Sequence, residues 1–389
     1  MPLTSTTTSL ASTPTITRRI FFPNLDGLRF LAFFAVFLFH SFYTADSAIK
    51  KTLLYQIPYQ LTRFGHLGVN FFFVLSGFLI TYLLLVEKTT NGRVAIGAFY
   101  MRRILRIWPL YFAVVLFGFV VIPLLRAQFG NYDLHETARP AYFLLFLANF
   151  NSIYYGSQTP TLSVLWSVAV EEQFYLVWPL LIALVPIRNL GWLLCGVLLA
   201  SLVFRYAHQQ EPPLLNLHTF AVIGDMAFGG LMAWLCFRDE KLTDTLAAMP
   251  RWAIGVFYLL GICLIYWGET LNSFHGYIVI ERLVLAVFFA FVILEQNYAQ
   301  NSFLKMSRLR FVSYWGTYTY GLYCLHYFLL LVAYQILHRL GLNGTAAGVV
   351  IGDNALGLAL AMAASWVSFN FYEKPFLKLK DRFAFVKTH

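Results

Sequence analysis

The sequence predicts an all-α fold, a polytopic bundle of transmembrane helices. Of its 389 residues, 59% are hydrophobic and 12% are charged, whereas an average soluble chain carries about 25% charged residues. The mean hydropathy is +0.66, and long apolar runs recur along the chain. Together these observations exclude a soluble globular protein.

Ten apolar runs are long enough to cross a membrane, because a transmembrane helix needs about 20 mostly apolar residues. They are 27–45, 66–86, 104–125, 162–186, 190–208, 217–237, 250–268, 277–297, 314–338 and 349–371. An eleventh run, 140–150, is short and is followed by a polar stretch through Thr161. We therefore expect about ten spans, plus a segment around 140–150 that re-enters the bundle or lies on its outer face.

The positive-inside rule predicts the orientation, since cytoplasmic loops carry an excess of Lys and Arg. If 140–150 does not cross, one side receives Arg18, Arg19, Lys88, Arg93, Arg102, Arg103, Arg238, Lys241, Arg251, Lys305, Arg308, Arg310, Lys374, Lys378, Lys380, Arg382 and Lys387. Both termini are then cytoplasmic. The weak point of this topology is that it places Lys50, Lys51 and Arg63 outside. The expected regions are a disordered tail at 1–19, a membrane domain at 20–376 and a basic cytoplasmic tail at 377–389.

The charge and the cysteines exclude two further classes. The 28 Lys and Arg against 18 Asp and Glu give a net charge of +10, but the basic residues lie at the ends of apolar runs and not on a polar domain. The cysteines lie inside apolar runs without CxxC spacing, at Cys195, Cys236, Cys263 and Cys324. We therefore expect no nucleic-acid partner, no disulfide framework and no metal site.

The first span carries two ionisable residues, Arg29 and His40. A charged side chain inside a span costs roughly 2.5–3.5 kcal/mol, so one that persists often marks a function. Eleven residues make about three helical turns, which places both side chains on one face, roughly 16 Å apart. Alternatively, Arg29 reaches the lipid headgroups and pairs with Asp26, and His40 is a hydrogen-bonded core histidine.

Three arginines, Arg102, Arg103 and Arg106, lie close together before Pro109. If the helix begins near Tyr100, the cations crowd its positive end, where each is disfavoured by about 0.3–1 kcal/mol. Lipid headgroups would offset this cost. The sharper hypothesis is a phosphate-rich ligand, since arginine binds phosphate through two hydrogen bonds.

Two adjacent carboxyl groups, Glu171 and Glu172, lie within the run 162–186. Glu171 shares a helix face with Ser167 and Tyr175. We expect Glu171 to take part in chemistry and Glu172 to make a supporting or structural hydrogen bond. Weaker candidates, for which aromatic packing is an equal explanation, are Tyr320, Tyr323 and His326. Residues expected only to form ion pairs or close helix contacts are Asp225, Glu281, Arg282, Asp353, Gly65, Gly68, Gly77 and Ser76.

Six ordered motifs resemble the acyltransferase-3 family of integral membrane acyltransferases. They are Asn24 to Arg29 with His40, Gly68 to Ile80, Arg102 to Pro109, Leu165 to Tyr175, Tyr320 to His326, and Tyr372 to Pro375. The match runs from about residue 22 to 377. Many relatives carry Asp where this chain has Asn70, which argues against a charge-based role there. Some relatives add an extracytoplasmic hydrolase-like domain, which we expect this chain, ending at His389, to lack.

The resemblance implies transfer of an acyl group, usually acetyl from acetyl-CoA, to a hydroxyl of a surface glycan or lipid-linked glycan. It implies a bacterial inner-membrane protein among membrane lipids, with acyl-CoA as co-substrate and no permanently bound cofactor. The family's arginine-to-histidine spacing matches Arg29 and His40, its RxxR motif matches Arg103 and Arg106, and its glutamate motif matches Glu171 and Glu172.

The hypothesis that follows places the CoA phosphates on the three arginines and the pantetheine arm beside Arg29. His40 takes the proton from the acceptor hydroxyl, Glu171 orients the imidazole, and Trp166 or Ser167 lines the acceptor path. Direct transfer and an acyl-histidine intermediate both remain open at this point. The alternatives are a proton-coupled transporter or flippase that uses the same Arg, His and Glu residues, and a scaffold whose buried charges fix helix register.

Overall fold

The computed structural model describes residues 22–124, 138–156, 160–274 and 276–383. The regular elements in these ranges are all helical, which confirms the all-α fold. Ten main helices are α1 (Leu25–His40), α2 (Leu67–Asn91), α3 (Ile96–Leu116), α4 (Leu165–Leu184), α5 (Leu190–Ala207), α6 (Thr219–Arg238), α7 (Arg251–Leu271), α8 (Tyr277–Tyr298), α9 (Thr319–Arg339) and α10 (Asn354–Val367). The predicted tail at 1–19, with Arg18 and Arg19, and the tail residue Lys387 lie outside the described residues.

Shorter helical segments connect or extend these ten. They are Ser47–Lys50, Leu53–Thr62, Arg63–His66, Phe117–Val121, Pro140–Leu144, Ala148–Tyr155, Pro160–Ser163, Ile187–Asn189, Pro212–Leu217, Glu240–Ala248, Met306–Arg308, Arg310–Gly316, Gly348–Asp353, Ser368–Glu373, Lys374–Lys380 and Asp381–Phe383. In the described part of the chain, nine helical stretches are long and apolar enough to cross a membrane. Helix α1, with 16 residues, is shorter, and with it the bundle has the expected ten.

Two predicted spans differ from the observed helices. Helix α1 ends at His40, five residues before the predicted end, because the Ser41 hydroxyl donates to the Phe37 carbonyl (2.8 Å) and Phe42 adopts a φ of 64°. The run 314–338 is interrupted before α9 begins. There Gly316 lies so close to α1 that a Cβ would be 2.0 Å from the Asp26 carbonyl oxygen.

The segment between α3 and α4 does not cross the membrane. The Lys88 ammonium at the end of α2 donates to the carbonyls of Ile182 (2.7 Å) and Val185 (2.8 Å) at the end of α4. Arg102, near the start of α3, pairs with Glu87 in α2 at 3.1 Å. Helix α3 therefore leaves this end of the bundle and α4 returns to it. We call it the basic end, and the opposite one the far end.

The described part of that segment re-enters the bundle. The Tyr111 hydroxyl of α3 donates to the Phe143 carbonyl (2.8 Å), and the Gln173 amide of α4 donates to the Phe146 carbonyl (2.8 Å). Both donors lie well inside their helices. Of the two expected placements for 140–150, the structure therefore shows re-entry.

Small residues bring α2 against its neighbours, as predicted. A Cβ on Gly77 would lie 1.9 Å from the Met226 carbonyl oxygen of α6, and one on Gly68 would lie 2.4 Å from the Ala32 carbonyl oxygen of α1. A Cβ on Gly65, just before α2, would also clash with α1. Helix α2 is therefore held between α1 and α6 by close backbone contact.

The predicted ion pairs are confirmed only in part. Arg282 of α8 pairs with the buried Asp225 of α6. Glu281 instead accepts a hydrogen bond from the Asn272 amide (3.2 Å), and Asp353 accepts one from Asn343 (3.4 Å). Amide donors thus contact two carboxyl groups for which the sequence suggested cationic partners.

Candidate active site

A cavity of about 530 Å³ enters the bundle from the basic end. The predicted site residues on its wall are Arg29, Arg102, Arg103, Arg106, Ser167, Glu171, Tyr320 and Tyr323. Those outside the cavity wall are His40, Trp166, Glu172 and His326. The structure therefore brings together the predicted cations and Glu171, and places His40 elsewhere.

The arginines around the cavity mouth differ in their partners. Arg29 pairs with Asp26, one turn earlier in the chain. This pairing is part of the alternative interpretation of Arg29 given above. Arg102 pairs with Glu87 at 3.1 Å and donates to the Phe383 carbonyl at 2.6 Å. Both guanidinium groups therefore have a fixed partner within the protein.

Arg103 and Arg106 form no ion pair with a carboxylate within the described residues. The Arg103 guanidinium carbon lies 5.5 Å from the ring centre of Phe99 and 5.4 Å from that of Tyr175. These ring faces attract a cation without neutralising its charge. The mouth therefore holds two cations that are available to an anionic ligand.

Glu171 forms a hydrogen-bonded cluster on the cavity wall. Its carboxylate accepts from the Ser76 hydroxyl (2.8 Å) and from the Tyr175 hydroxyl (3.2 Å), and these two hydroxyls lie 3.1 Å apart. The neighbouring Glu172 accepts from the Trp108 indole nitrogen (2.8 Å) outside the cavity. Sequence reasoning missed the polar role of Ser76, although Ser76 lies in the quoted motif Gly68 to Ile80.

The cavity ends at a contact between α4 and α9. The Ser167 and Tyr323 hydroxyls lie 2.6 Å apart. Nearby, the Tyr320 hydroxyl donates to the Ile107 carbonyl (2.8 Å). Phe73 lines the cavity, and Trp166 packs edge-on behind it, with ring centres 6.0 Å apart. Two hydroxyl groups and aromatic rings therefore form the inner wall.

His40 lies beyond this wall and contacts a second histidine. Its Nδ1 is 2.9 Å from Nε2 of His326, which is fully buried, and the His326 Nδ1 is 2.7 Å from the Tyr323 carbonyl oxygen. The two histidines are 286 positions apart in the sequence. The hypothesis that Glu171 orients the His40 imidazole is therefore corrected, because His326 occupies that place and Glu171 bonds to Ser76 and Tyr175.

The histidine pair lies between α1 and α9, with His40 as the last residue of α1. The His40 ring stacks on Tyr327 of α9, with ring centres 4.6 Å apart. Helix α9 begins about two turns before Tyr327 and continues for about three turns after it, which corresponds to roughly 12 Å and 18 Å. The pair therefore lies near the middle of α9, separated from the cavity by Tyr323.

Comparison with known proteins decides the family. The family described as "Acyltransferase domain" matches residues 22–370. The chain belongs to this family. The resemblance seen in the sequence motifs is thereby confirmed, and with the apolar helices it makes the chain an integral membrane protein of the acyltransferase family.

Two relatives carry related names. Peptidoglycan O-acetyltransferase OatA of Listeria monocytogenes is 26% identical over 382 residues, which cover 92% of this chain and 56% of that protein. The Bacillus subtilis protein named "Putative peptidoglycan O-acetyltransferase YrhL" is 27% identical over 386 residues, which cover 91% and 55%. The chain thus spans about half the length of the curated relatives it matches. No solved structure matches it.

Proposed function

We propose that this protein is a membrane O-acyltransferase that transfers an acyl group, acetyl by preference, from acyl-CoA to a hydroxyl of a cell-surface or lipid-linked glycan. The observation that carries the proposal is a cavity that begins at two arginines without carboxylate partners among the described residues and ends next to the contact between His40 and His326. Family membership and the names of the two relatives support it.

The basic end would bind the donor. Arg103 and Arg106 would contact its phosphates, and the charges of Arg102 and Arg29 would add to the attraction. Further in, the wall becomes apolar, with Val69 and Phe72 among its side chains, which suits the acyl-pantetheine arm. Acyl-CoA is then a co-substrate that leaves as CoA, and the proposal needs no permanently bound cofactor.

His40 would act as the general base. It takes the proton from the acceptor hydroxyl while that oxygen attacks the thioester carbonyl carbon, the carbon–sulfur bond breaks, and the CoA thiolate takes up the proton. A well-positioned base contributes about 10²–10⁴-fold to the rate. Because Tyr323 lies between the cavity and the histidines, this reaction requires the Ser167–Tyr323 contact to open.

The charge distribution supports a cytoplasmic location for the basic end. Phe22 packs against Phe78 near the middle of α2 and against Tyr82 in its second half, and Phe383 contacts Arg102, so both ends of the described chain lie toward the basic end. Since cytoplasmic loops are enriched in Lys and Arg, we place both termini inside and the far end outside a bacterial inner membrane.

The test uses the purified full chain in lipid nanodiscs, with radiolabelled acetyl-CoA and peptidoglycan fragments or other glycans. We expect labelled product with the wild-type protein and with His208→Ala, a histidine substitution away from the site. The His40→Ala variant should lose at least about 10²-fold in rate. Wild-type transfer by a well-folded His40→Ala would refute the assigned base. Substrate uptake into vesicles without any acyl donor would favour the transporter alternative.

A further inference from the structure

The contact between His40 and the buried His326 has a defined arrangement of protons, and this arrangement gives His326 a role besides that of His40. Building on the proposed function, we infer that His326 is a positioning residue that holds His40 in the tautomer whose Nε2 is free to accept the proton of the attacking hydroxyl.

The assignment begins at a backbone carbonyl. The Tyr323 carbonyl oxygen is only an acceptor, so the His326 Nδ1, 2.7 Å away, carries the hydrogen of that bond. In a neutral imidazole the other nitrogen then has a lone pair and accepts. The His326 Nε2 therefore accepts from the His40 Nδ1 at 2.9 Å, and His40 is protonated at Nδ1. Its Nε2 is left with a lone pair.

The surroundings keep this arrangement in place. Neither imidazole has a carboxylate within ion-pair distance in the part of the chain that the structure describes, and the ring of His40 also has a backbone hydrogen bond with Val36, one turn earlier in α1. The His326 ring packs edge-on against Phe33, with ring centres 5.6 Å apart, and Tyr327 stacks on His40. Both rings are thus oriented by aromatic contacts and by hydrogen bonds to each other and to backbone carbonyls.

The pair suits a base inside a membrane. When the His40 Nε2 takes the hydroxyl proton, the Nδ1 hydrogen stays bonded to His326, as it would to the carboxylate of a catalytic triad. Unlike a carboxylate, a neutral imidazole adds no buried negative charge before the reaction, and buried charge is costly at this depth. His326 therefore fixes the direction of proton transfer without charging the site.

Nitrogen NMR on the wild-type protein tests the tautomer directly. The protein is labelled with ¹⁵N-histidine, and the His40 signals are identified by their loss in His40→Ala. We expect a protonated Nδ1 and an unprotonated Nε2 for His40 at neutral pH. The opposite tautomer would overturn the inference, and this measurement needs no substitution at the buried position 326.

Kinetics of matched variants test the consequence. His326→Phe keeps a ring and removes the acceptor, so kcat should fall about 10²-fold with an unchanged KM for acyl-CoA. His326→Gln should recover part of kcat, because its amide oxygen can accept from the His40 Nδ1. His338→Phe, the same change near the far end of α9, should retain wild-type kcat.

The outcomes separate this inference from the proposed function. If His40→Ala is inactive and His326→Phe keeps wild-type kcat, the positioning role fails while the base stands. If folded His326→Phe and His326→Gln lose kcat equally, hydrogen bonding at this position is not what matters, and the inference also fails. If wild-type protein transfers no acyl group, the proposed function fails, and the NMR result still decides the tautomer.

Discussion

Three arginines at the start of α3 show that the residue type alone does not determine the binding partner. The sequence places all three together and suggests a phosphate ligand for each. In the structure Arg102 is bound to Glu87 and the Phe383 carbonyl, whereas Arg103 lies over aromatic rings and has no carboxylate partner in the described ranges. The partners of Arg102 come from α2 and from the C-terminal end of the chain, so no local pattern reveals them.

Arg103 and Arg106 should therefore carry the donor affinity. A hydrogen bond to a charged group contributes about 1.5–3 kcal/mol, so Arg103→Gln or Arg106→Gln should raise the Kd for CoA by roughly 10–150-fold. Calorimetric titration of CoA into the detergent-solubilised protein measures this. The control is Arg310→Gln, an exposed arginine outside the cavity wall. Unchanged CoA affinity in a variant that combines Arg103→Gln and Arg106→Gln would contradict the phosphate-binding role.

Substitution of Glu171 should affect the cavity more than it affects the histidine pair. It bonds to Ser76 and Tyr175 and makes no contact with His40. In Glu171→Gln we therefore expect the ¹⁵N signals of His40 to keep their wild-type positions and kcat to fall less than in His40→Ala. A switch of the His40 tautomer in this variant would return the orienting role to Glu171.

At the scale of elements, hydropathy predicted the number and the approximate position of the helices. It failed where a backbone feature outweighs composition. Phe42 is apolar, yet its φ of 64° ends α1, and Gly316 ends a helix because its backbone meets Asp26. The sequence also did not predict the contact between His40 and His326, since each histidine alone is consistent with core packing.

The close contact between α2 and α6 depends on Gly77. A Cβ there would lie 1.9 Å from the Met226 carbonyl oxygen, so Gly77→Ala must separate two central helices. We expect the free energy of unfolding to fall by about 1–3 kcal/mol or more, as in other overpacked cores. The control Gly196→Ala in α5 has open space around its Cβ and should keep or raise the melting temperature. The melting temperatures of the two variants in detergent, monitored by size-exclusion chromatography, compare their stability. Equal melting temperatures would contradict the tight contact.

At the scale of the whole molecule, the site depends on elements far apart in the chain. The start of α3 and the end of the described chain form the cavity mouth, and α1 and α9 supply the histidines. The direction of α4, fixed by Lys88 and the re-entrant segment, decides which end of every later helix faces the basic side. The charge distribution then predicts the orientation of the bundle in the membrane.

Exposed lysines at the two ends of the bundle make the orientation testable. Lys51 lies in the far-end segment between α1 and α2, and Lys241 lies after α6 at the basic end; both side chains are exposed. With the native cysteines replaced by alanine, Lys51→Cys should react with a membrane-impermeant maleimide in intact cells. Lys241→Cys should react only after permeabilisation. Because both variants carry the same substitution at exposed lysines, they control for each other's reactivity. The reverse labelling pattern would place the arginine-lined cavity mouth outside the cell, where acyl-CoA is absent, and would remove the proposed donor route.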